Sequence, residues 1–260
     1  MGRARPEEGG LGGGGVAVTE RRRLFAARLP EGGGPVVLDG AVARHARVLR
    51  LEVGDVVRLF DGSGVEADAQ VTLVGERRVE CEADVPVEAA AEGPRVVLIQ
   101  CVPKGAKLDG IVRMTTELGV SAIHLAVSER SVARPDAARA HARVERLARI
   151  AREAARQAGR ASVPPVVPPA PLAETLLRPP RGATRIALWE RAAHPLPATI
   201  PGSEVWVLVG PEGGLSESEV GHLEAASFAI ARLGRPILRV ETASVVAVAL
   251  LLDRLGGLSA

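Results

Sequence analysis

The sequence predicts an α/β protein in two parts: a small β-barrel followed by a larger domain built on a parallel sheet. Three observations carry that expectation. Residues 21–88 hold short apolar strands broken by glycine turns, the pattern of a small curled or closed sheet. After an alanine-rich acidic linker, Glu88 to Pro94, continuous apolar runs alternate with helical periodicity, which places the strands in a sheet covered on both faces. Finally, two glycine-bearing segments, residues 208–219 and 233–243, each follow a strand and precede a helix. With the boundary near residue 92, residues 1–20 read as a disordered tail, 21–92 as the barrel and 93–260 as the α/β domain.

In the first part, strands are expected at Arg23–Ala27, Val36–Leu38, Val56–Phe60, Val65–Leu73 and Val79–Glu82, with one helix over Gly40–Leu49. In the second, strand Val96–Cys101 leads into helix Lys107–Leu118, which ends where Gly119 can adopt a left-handed cap, and strand Ala122–Val127 follows. A long helix covers Ala137–Gly159. At 100° per residue, Val144, Leu147, Ile150, Ala151, Ala154 and Ala155 share one face, while Arg146, Arg149, Arg152, Arg156 and Arg160 share the other. That basic stripe either tracks phosphates or is a solvated face on which Glu145 and Glu153 pair with arginines. A proline-rich linker, Val163–Pro171, precedes strands at Thr184–Trp189 and Val205–Val209. The S-x-x-E capping box of Ser216–Glu219 then opens a helix. A short strand, Phe228–Leu233, and a last helix with Thr242 as N-cap complete the chain.

Composition narrows the function. At 260 residues and 47% apolar content, the chain can bury a substantial core. The longest apolar run, Ala243 to Leu252, ends in Asp253-Arg254 and falls well short of the roughly 18 to 20 residues that span a bilayer, so no membrane segment is expected. Residues 1–20 lack an apolar block of signal-peptide length, and a cytoplasmic location is expected. Cys81 and Cys101 are too few for a disulfide framework and read as small buried side chains. His45, His124, His141, His194 and His222 are scattered without ligand spacing, so no metal is expected. A net charge of +2 means that any affinity for nucleic acid must come from clustered charge. With 2% aromatic residues, recognition by serial base stacking is not expected. Only two of the 33 basic residues are lysines, Lys104 and Lys107, both within Pro103–Lys107. They are either chance survivors of an arginine-favouring bias or sites that need a compact ammonium.

The run LVGPEGGLSESE at Leu208–Glu219 puts Gly210, Gly213 and Gly214 at a strand-to-helix turn. Missing β-carbons and free N–H groups at a helix start let a ligand touch the backbone; the same residues also make a tight turn with no ligand. The loop is neither G-x-x-x-x-G-K-[ST] nor G-x-G-x-x-G, which disfavours a dinucleotide-dependent dehydrogenase. Glu212 would repel a pyrophosphate, so the expected ligand is cationic or neutral with a nucleoside part. The second segment, Leu233–Ala243, carries Arg239 and Glu241, which are either a structural ion pair or a catalytic one. Two such loops at neighbouring strand ends can form one pocket.

The motifs G-P-E-G-G at Gly210–Gly214, L-G-x-x-I-L-R-x-E-T-A at Leu233–Ala243, T-E-L-G-V at Thr116–Val120, S-E-R-S-V at Ser128–Val132 and E-A-x-x-Q-x-G-R at Glu153–Arg160 occur together with R-R-L-F at Arg22–Phe25 and H-x-x-V-L-R-L-x-x-G-D at His45–Asp55. On these motifs the chain resembles the bacterial 16S ribosomal RNA uridine N3-methyltransferases of the SPOUT superfamily, which act at uridine 1498. It departs from many members at Arg235-Pro236, where they have Pro-Arg, and at Ala158, where they have a small polar residue. The resemblance implies a PUA-like β-barrel RNA-binding domain, then a trefoil-knotted SPOUT domain that binds S-adenosyl-L-methionine, in a homodimer acting on the small ribosomal subunit. By the same resemblance, Trp189, Glu190, Gly210, Glu212, Gly213, Gly214, Leu233, Gly234, Ile237, Leu238 and Arg239 are the expected cofactor contacts. Arg239 and Glu241 are the expected catalytic residues. Arg22, Arg23, Arg47, Arg50, Lys104, Arg130 and Arg160 are expected to meet RNA, and His45 either joins them or is a half-buried barrel histidine. The alternatives are a SPOUT enzyme acting on a ribose 2′-hydroxyl or another base, and a non-catalytic RNA-binding assembly factor.

Overall fold

The computed structural model describes residues 22–90, 93–131 and 137–258; the expected tail, residues 1–20, lies outside them. It contains two six-stranded sheets. The first is made by β1 (Arg23–Phe25), β2 (Gly34–Asp39), β3 (Val56–Phe60), β4 (Val65–Val74), β5 (Arg78–Ala83) and β6 (Val87–Glu88), with α1 (Gly40–Val48) after β2. The order is β1-β3-β4-β5-β2, and β6 pairs with β4. β1 and β3 run parallel and the other pairs antiparallel. Alternation sets the inner face: Ala67, Ala69 and Val71 of β4 and Val79, Cys81 and Ala83 of β5 point inward, as a two-residue side-chain period requires. They close over Leu24, Leu38 and Leu59 and over Ala43 and Ala46 of α1. The expected barrel is thus a curled half-barrel, with β1 and β2 as its ends and α1 packed across β1, β2 and β5.

The second sheet is wholly parallel. Its strands are β7 (Arg95–Cys101), β8 (Ala122–Val127), β9 (Val166–Pro171), β10 (Thr184–Leu188), β11 (Glu204–Val209) and β12 (Ala229–Ala231), in the order β12-β10-β11-β7-β8-β9. Successive residues of β7 serve opposite faces. Val96 and Leu98 pack with α2 (Lys107–Leu118), α3 (Ala137–Gln157) and α6 (Val240–Arg254), whereas Val97, Ile99 and Cys101 pack with α4 (Leu172–Thr175) and α5 (Glu217–Ala225). Both faces being covered is why β7 and β11 read as unbroken apolar runs.

Two expectations are corrected. The proline-rich linker contains β9, which pairs with β8 alone at the sheet edge; prolines lack the N–H that an inner strand needs but are tolerated at an edge. The N-cap of α6 is Arg239, not Thr242. Val240 is buried, and the Ser244 hydroxyl oxygen stands 2.8 Å from the Val240 carbonyl oxygen, within a first turn that starts ahead of Thr242.

α3 joins the two sheets, and three arginines of its basic stripe have partners within the protein. Arg152 stacks over Phe25 with its Cζ 4.2 Å from the ring centroid, Arg146 pairs with Asp109 of α2 at 2.7 Å, and Arg156 pairs with Glu153. Arg152 and Arg146 thus tie α3 to β1 and to α2, while Arg156 pairs within the helix.

Candidate active site

The carboxyl ends of β10, β11 and β12 lie side by side, and the strand order reverses next to them, since β7 leads outward to β8 while β11 sits on its other edge. Such a switch point leaves a crevice where adjacent loops diverge. A cavity of about 480 Å³ opens there. Trp189 and Glu190 enter it from the loop after β10, and Gly210, Glu212, Gly213 and Gly214 from the loop after β11. Leu233, Gly234, Ile237, Leu238 and Arg239 enter from the loop after β12. Of the two residues expected to do chemistry, Arg239 lines the cavity, and Glu241 stands in the first turn of α6 beside the lining residue Val240.

The glycine loop has a fixed shape. Gly214 adopts φ +70°, and its N–H donates to the Pro211 carbonyl at 2.9 Å. A β-carbon on Gly214 would stand 3.2 Å from Glu190 Oε1, so bare backbone here also makes room for a carboxylate. On the outer side, Arg130 Nη1 donates to the Gly213 carbonyl at 2.8 Å, and its aliphatic stem covers Gly213. The expected capping box of α5 is present. The Glu219 carboxylate accepts from Ser216 N–H and also from Glu129 N–H at 2.7 Å, tying the S-E-R-S-V segment to the same turn. Beneath the cavity, Gln100 at the end of β7 and Ser244 of α6 are fully buried, and the Ser244 hydroxyl donates to Gln100 Oε1 at 2.5 Å.

Charge is distributed differently from the expectation drawn from Glu212. Its carboxylate accepts from Lys104 N–H and from Lys107 Nζ at 2.8 Å. Burial works to raise its pKa, but the Lys107 ammonium and the backbone N–H bonds outweigh it and hold the group below the usual carboxylate range. Its charge is therefore matched inside the protein. Glu190, against the glycine turn, is the carboxylate that a cationic ligand would meet. Among the described residues no ion pair joins Arg239 to Glu241. The cation beside Glu241 is Lys107, with Nζ 3.9 Å from Oε2, and that oxygen is enclosed without a hydrogen-bond partner.

The residues expected to meet RNA fall into two sets. Arg47 and Arg50 are exposed on and just after α1, Arg22 is exposed and bonds Asp55 at 2.9 Å, and Lys104 is exposed beside the cavity. The others hold protein groups. Arg23 pairs with Glu66 at 3.0 Å and donates to the Arg160 carbonyl, while Arg160 donates to the Thr116 and Val120 carbonyls and to Ser162. Arg130 clamps Gly213. His45 is half-buried against α3, and burial, followed by the nearby Arg156, lowers its pKa. No described residues form a group of three or more metal-ligating side chains, and no described helix is long and apolar enough to cross a membrane.

Sequence reasoning did not place Lys107 in the cavity or Gln100 and Ser244 beneath it. The scarcity of lysine was the one signal for the first. For the second it was a lone polar residue near the end of an apolar strand.

The chain's residues 91–252 match the family described as RNA methyltransferase domain, and residues 38–84 match the RNA methyltransferase PUA domain. It is 31% identical to ribosomal RNA small subunit methyltransferase E of Bacillus subtilis over 81% of this chain and 86% of that protein. Among solved structures, a ribosomal RNA small subunit methyltransferase E from Neisseria gonorrhoeae bound to S-adenosyl methionine superposes with a TM-score of 0.82 at 33% identity, covering 90% of this chain and 97% of that one. A putative methyltransferase from Legionella pneumophila with bound cofactor gives 0.81 at 26% identity, with coverages of 90% and 97%.

Proposed function

The chain belongs to the ribosomal RNA small subunit methyltransferase E family, and on that premise we propose that it transfers a methyl group from S-adenosyl-L-methionine to N3 of uridine 1498 in 16S ribosomal RNA. Its fold is a SPOUT trefoil-knotted domain preceded by a PUA-like domain. The observation that carries the site assignment is convergence: three loops distant in sequence, each singled out by its own residues, line one cavity.

The residues suit the cofactor. The Trp189 indole N–H is enclosed without an acceptor, the glycine turn is a cradle that a β-carbon would crowd, and Glu190 offers a carboxylate not matched within the turn. An acceptor-rich nucleoside bearing positive charge complements all three. Gly210, Gly213, Gly214 and Leu233 to Leu238 would hold the nucleoside, and Glu190 the cationic end. Bound there, the cofactor supplies a methyl carbon on a sulfonium leaving group.

Neutral uracil carries a proton on N3, so the protein must accept that proton and accommodate the charge that develops. Arg239, at the mouth, supplies a guanidinium for the charge, and Glu241, in the first turn of α6 beside the lining residue Val240, is the proposed proton acceptor. Alignment of N3 with the methyl carbon supplies much of the rest, worth roughly 7 to 11 kcal/mol of barrier. Residues 21–92 are proposed as the RNA-holding domain and 93–260 as the transfer domain, with the exposed Arg22, Arg47, Arg50 and Lys104 as the phosphate contacts. A homodimer working in the cytoplasm completes the proposal.

The test is methyl transfer to small subunits lacking the modification, with the product base mapped by mass spectrometry. Arg239→Ala is expected to lower the rate by about 10²- to 10³-fold. A methylated ribose or a different base would refute the N3 assignment, and equal rates for wild type and variant would remove Arg239 from the chemistry.

A further inference from the structure

We propose that Lys107 is a second catalytic cation of this site, donating from its ammonium to a carbonyl oxygen of the target uracil as N3 loses its proton. The assignment rests on the uracil-methylating reading above and deepens it. Lys107 reaches the cavity from the start of α2, a helix that supplies no other lining residue among the described ones. It occupies the first turn of α2, where the positive end of the helix disfavours a cation. It is also one of only two lysines among 33 basic residues, and a compact, rotatable ammonium serves a small ring carbonyl better than a rigid guanidinium fork.

Two carboxylates set its position. Glu212 accepts one N–H at 2.8 Å, and the enclosed Oε2 of Glu241 lies 3.9 Å away, beyond hydrogen-bond reach. Among the described residues Glu212 is its one side-chain acceptor, leaving two of the ammonium's three N–H groups for substrate. In the transfer, the N3–H bond breaks and its proton passes to Glu241. N3 forms its bond to the methyl carbon, and the carbon–sulfur pair stays with sulfur. The charge that N3 shares with its flanking carbonyl oxygens is what Lys107 meets, in the manner of an oxyanion donor. A carboxylate and an ammonium side by side thus divide the work of taking a proton and holding a charge.

The experiment compares wild type, Lys107→Met and Lys107→Arg in single-turnover methyl transfer to unmodified small subunits at saturating cofactor, across pH, alongside calorimetry with S-adenosylmethionine. Lys107→Met is expected to slow transfer about 100-fold while the cofactor Kd stays within about threefold. The slowing is expected at every pH, because the ammonium is lost from the transition state while Glu241 still takes the proton. Lys107→Arg should recover to within about tenfold of wild type. A purely structural Lys107, acting only through Glu212 and the glycine turn, would raise the Kd and leave the saturated rate unchanged at every pH; that result overturns the proposal. A wild-type product other than N3-methyluridine overturns the reading beneath it, which is a different result from an N3 product that Lys107→Met makes at the wild-type rate.

Discussion

Replacing Gly214 by alanine tests whether the glycine turn is shaped for close approach. The backbone there stands at φ +70°, a region where a β-carbon crowds the following carbonyl at about 1–2 kcal/mol. The new methyl would also sit 3.2 Å from Glu190 Oε1 and 3.5 Å from Oε2, displacing that carboxylate by a few tenths of an ångström. The turn cannot relax freely, because Gly214 N–H is bonded to Pro211 and Arg130 grips Gly213. The strain must therefore appear as lost folding stability, as lost cofactor affinity or as both, and the two losses should sum to about 1–2 kcal/mol. Taken wholly as affinity, that is a rise in Kd of roughly 5- to 30-fold. Calorimetry with S-adenosylmethionine and urea unfolding, run on the same preparation, measure both shares. Gly221→Ala is the control: it lies in α5, a β-carbon there meets nothing within 4 Å, and it should stabilise by about 0.5–1 kcal/mol with unchanged affinity. If Gly214→Ala leaves Kd within twofold and stability unaltered, the turn is not held at its left-handed geometry and the cradle argument fails.

Ser244→Ala should destabilise by about 1–3 kcal/mol, because it leaves Gln100 Oε1 buried without its donor; an unchanged urea midpoint would show that the pair is dispensable. His124 has its pKa lowered to about 4 by burial and then by Arg178, whereas the unfolded chain binds that proton near 6.5. Stability should therefore fall as pH drops from about 6.5 to about 4, by at most about 3 kcal/mol. In His124→Asn this part of the acid limb should disappear when melts are compared across that range. Arg160→Ala should lower stability by about 1–3 kcal/mol, chiefly through the Val120 carbonyl, since the Thr116 carbonyl keeps the Gly119 N–H. It should leave the salt dependence of RNA binding unchanged, while Arg47→Ala should reduce that slope by about one phosphate contact; the reverse pattern would return Arg160 to the RNA surface.

What the sequence makes legible is local. β7 and β11 announce themselves as apolar runs because both their faces are buried, and the α5 start is written in Ser216 and Glu219. β9 is hidden because three of its six residues are proline, and propensity cannot see that an edge position forgives them. The start of α6 is misread because Thr242 is the better capping residue, while a distant contact, Ser244 to Gln100 across 144 residues, together with the burial of Val240 decides the matter. Motif spacing marked the loops that line the cavity but could not show how their charges match. Lys107 and Glu212 meet across 105 positions, so Glu212 taken alone looked like an unmatched anion. The arginine stripe of α3 posed a choice that periodicity leaves open, and only the fold shows that Phe25 and Asp109 face two of its members, Arg152 and Arg146.

The proline content of β9 has a consequence for how copies of this protein behave in a crowded solution. A sheet border invites a foreign chain when it presents a row of unpaired amide hydrogens. Pro168, Pro169 and Pro171 have none to present, and the opposite border, β12, is only three residues long. A wide, apolar sheet is thereby finished at both margins against uncontrolled growth, and substituting the three prolines by valine would turn one of those margins into a seed for fibrous self-association.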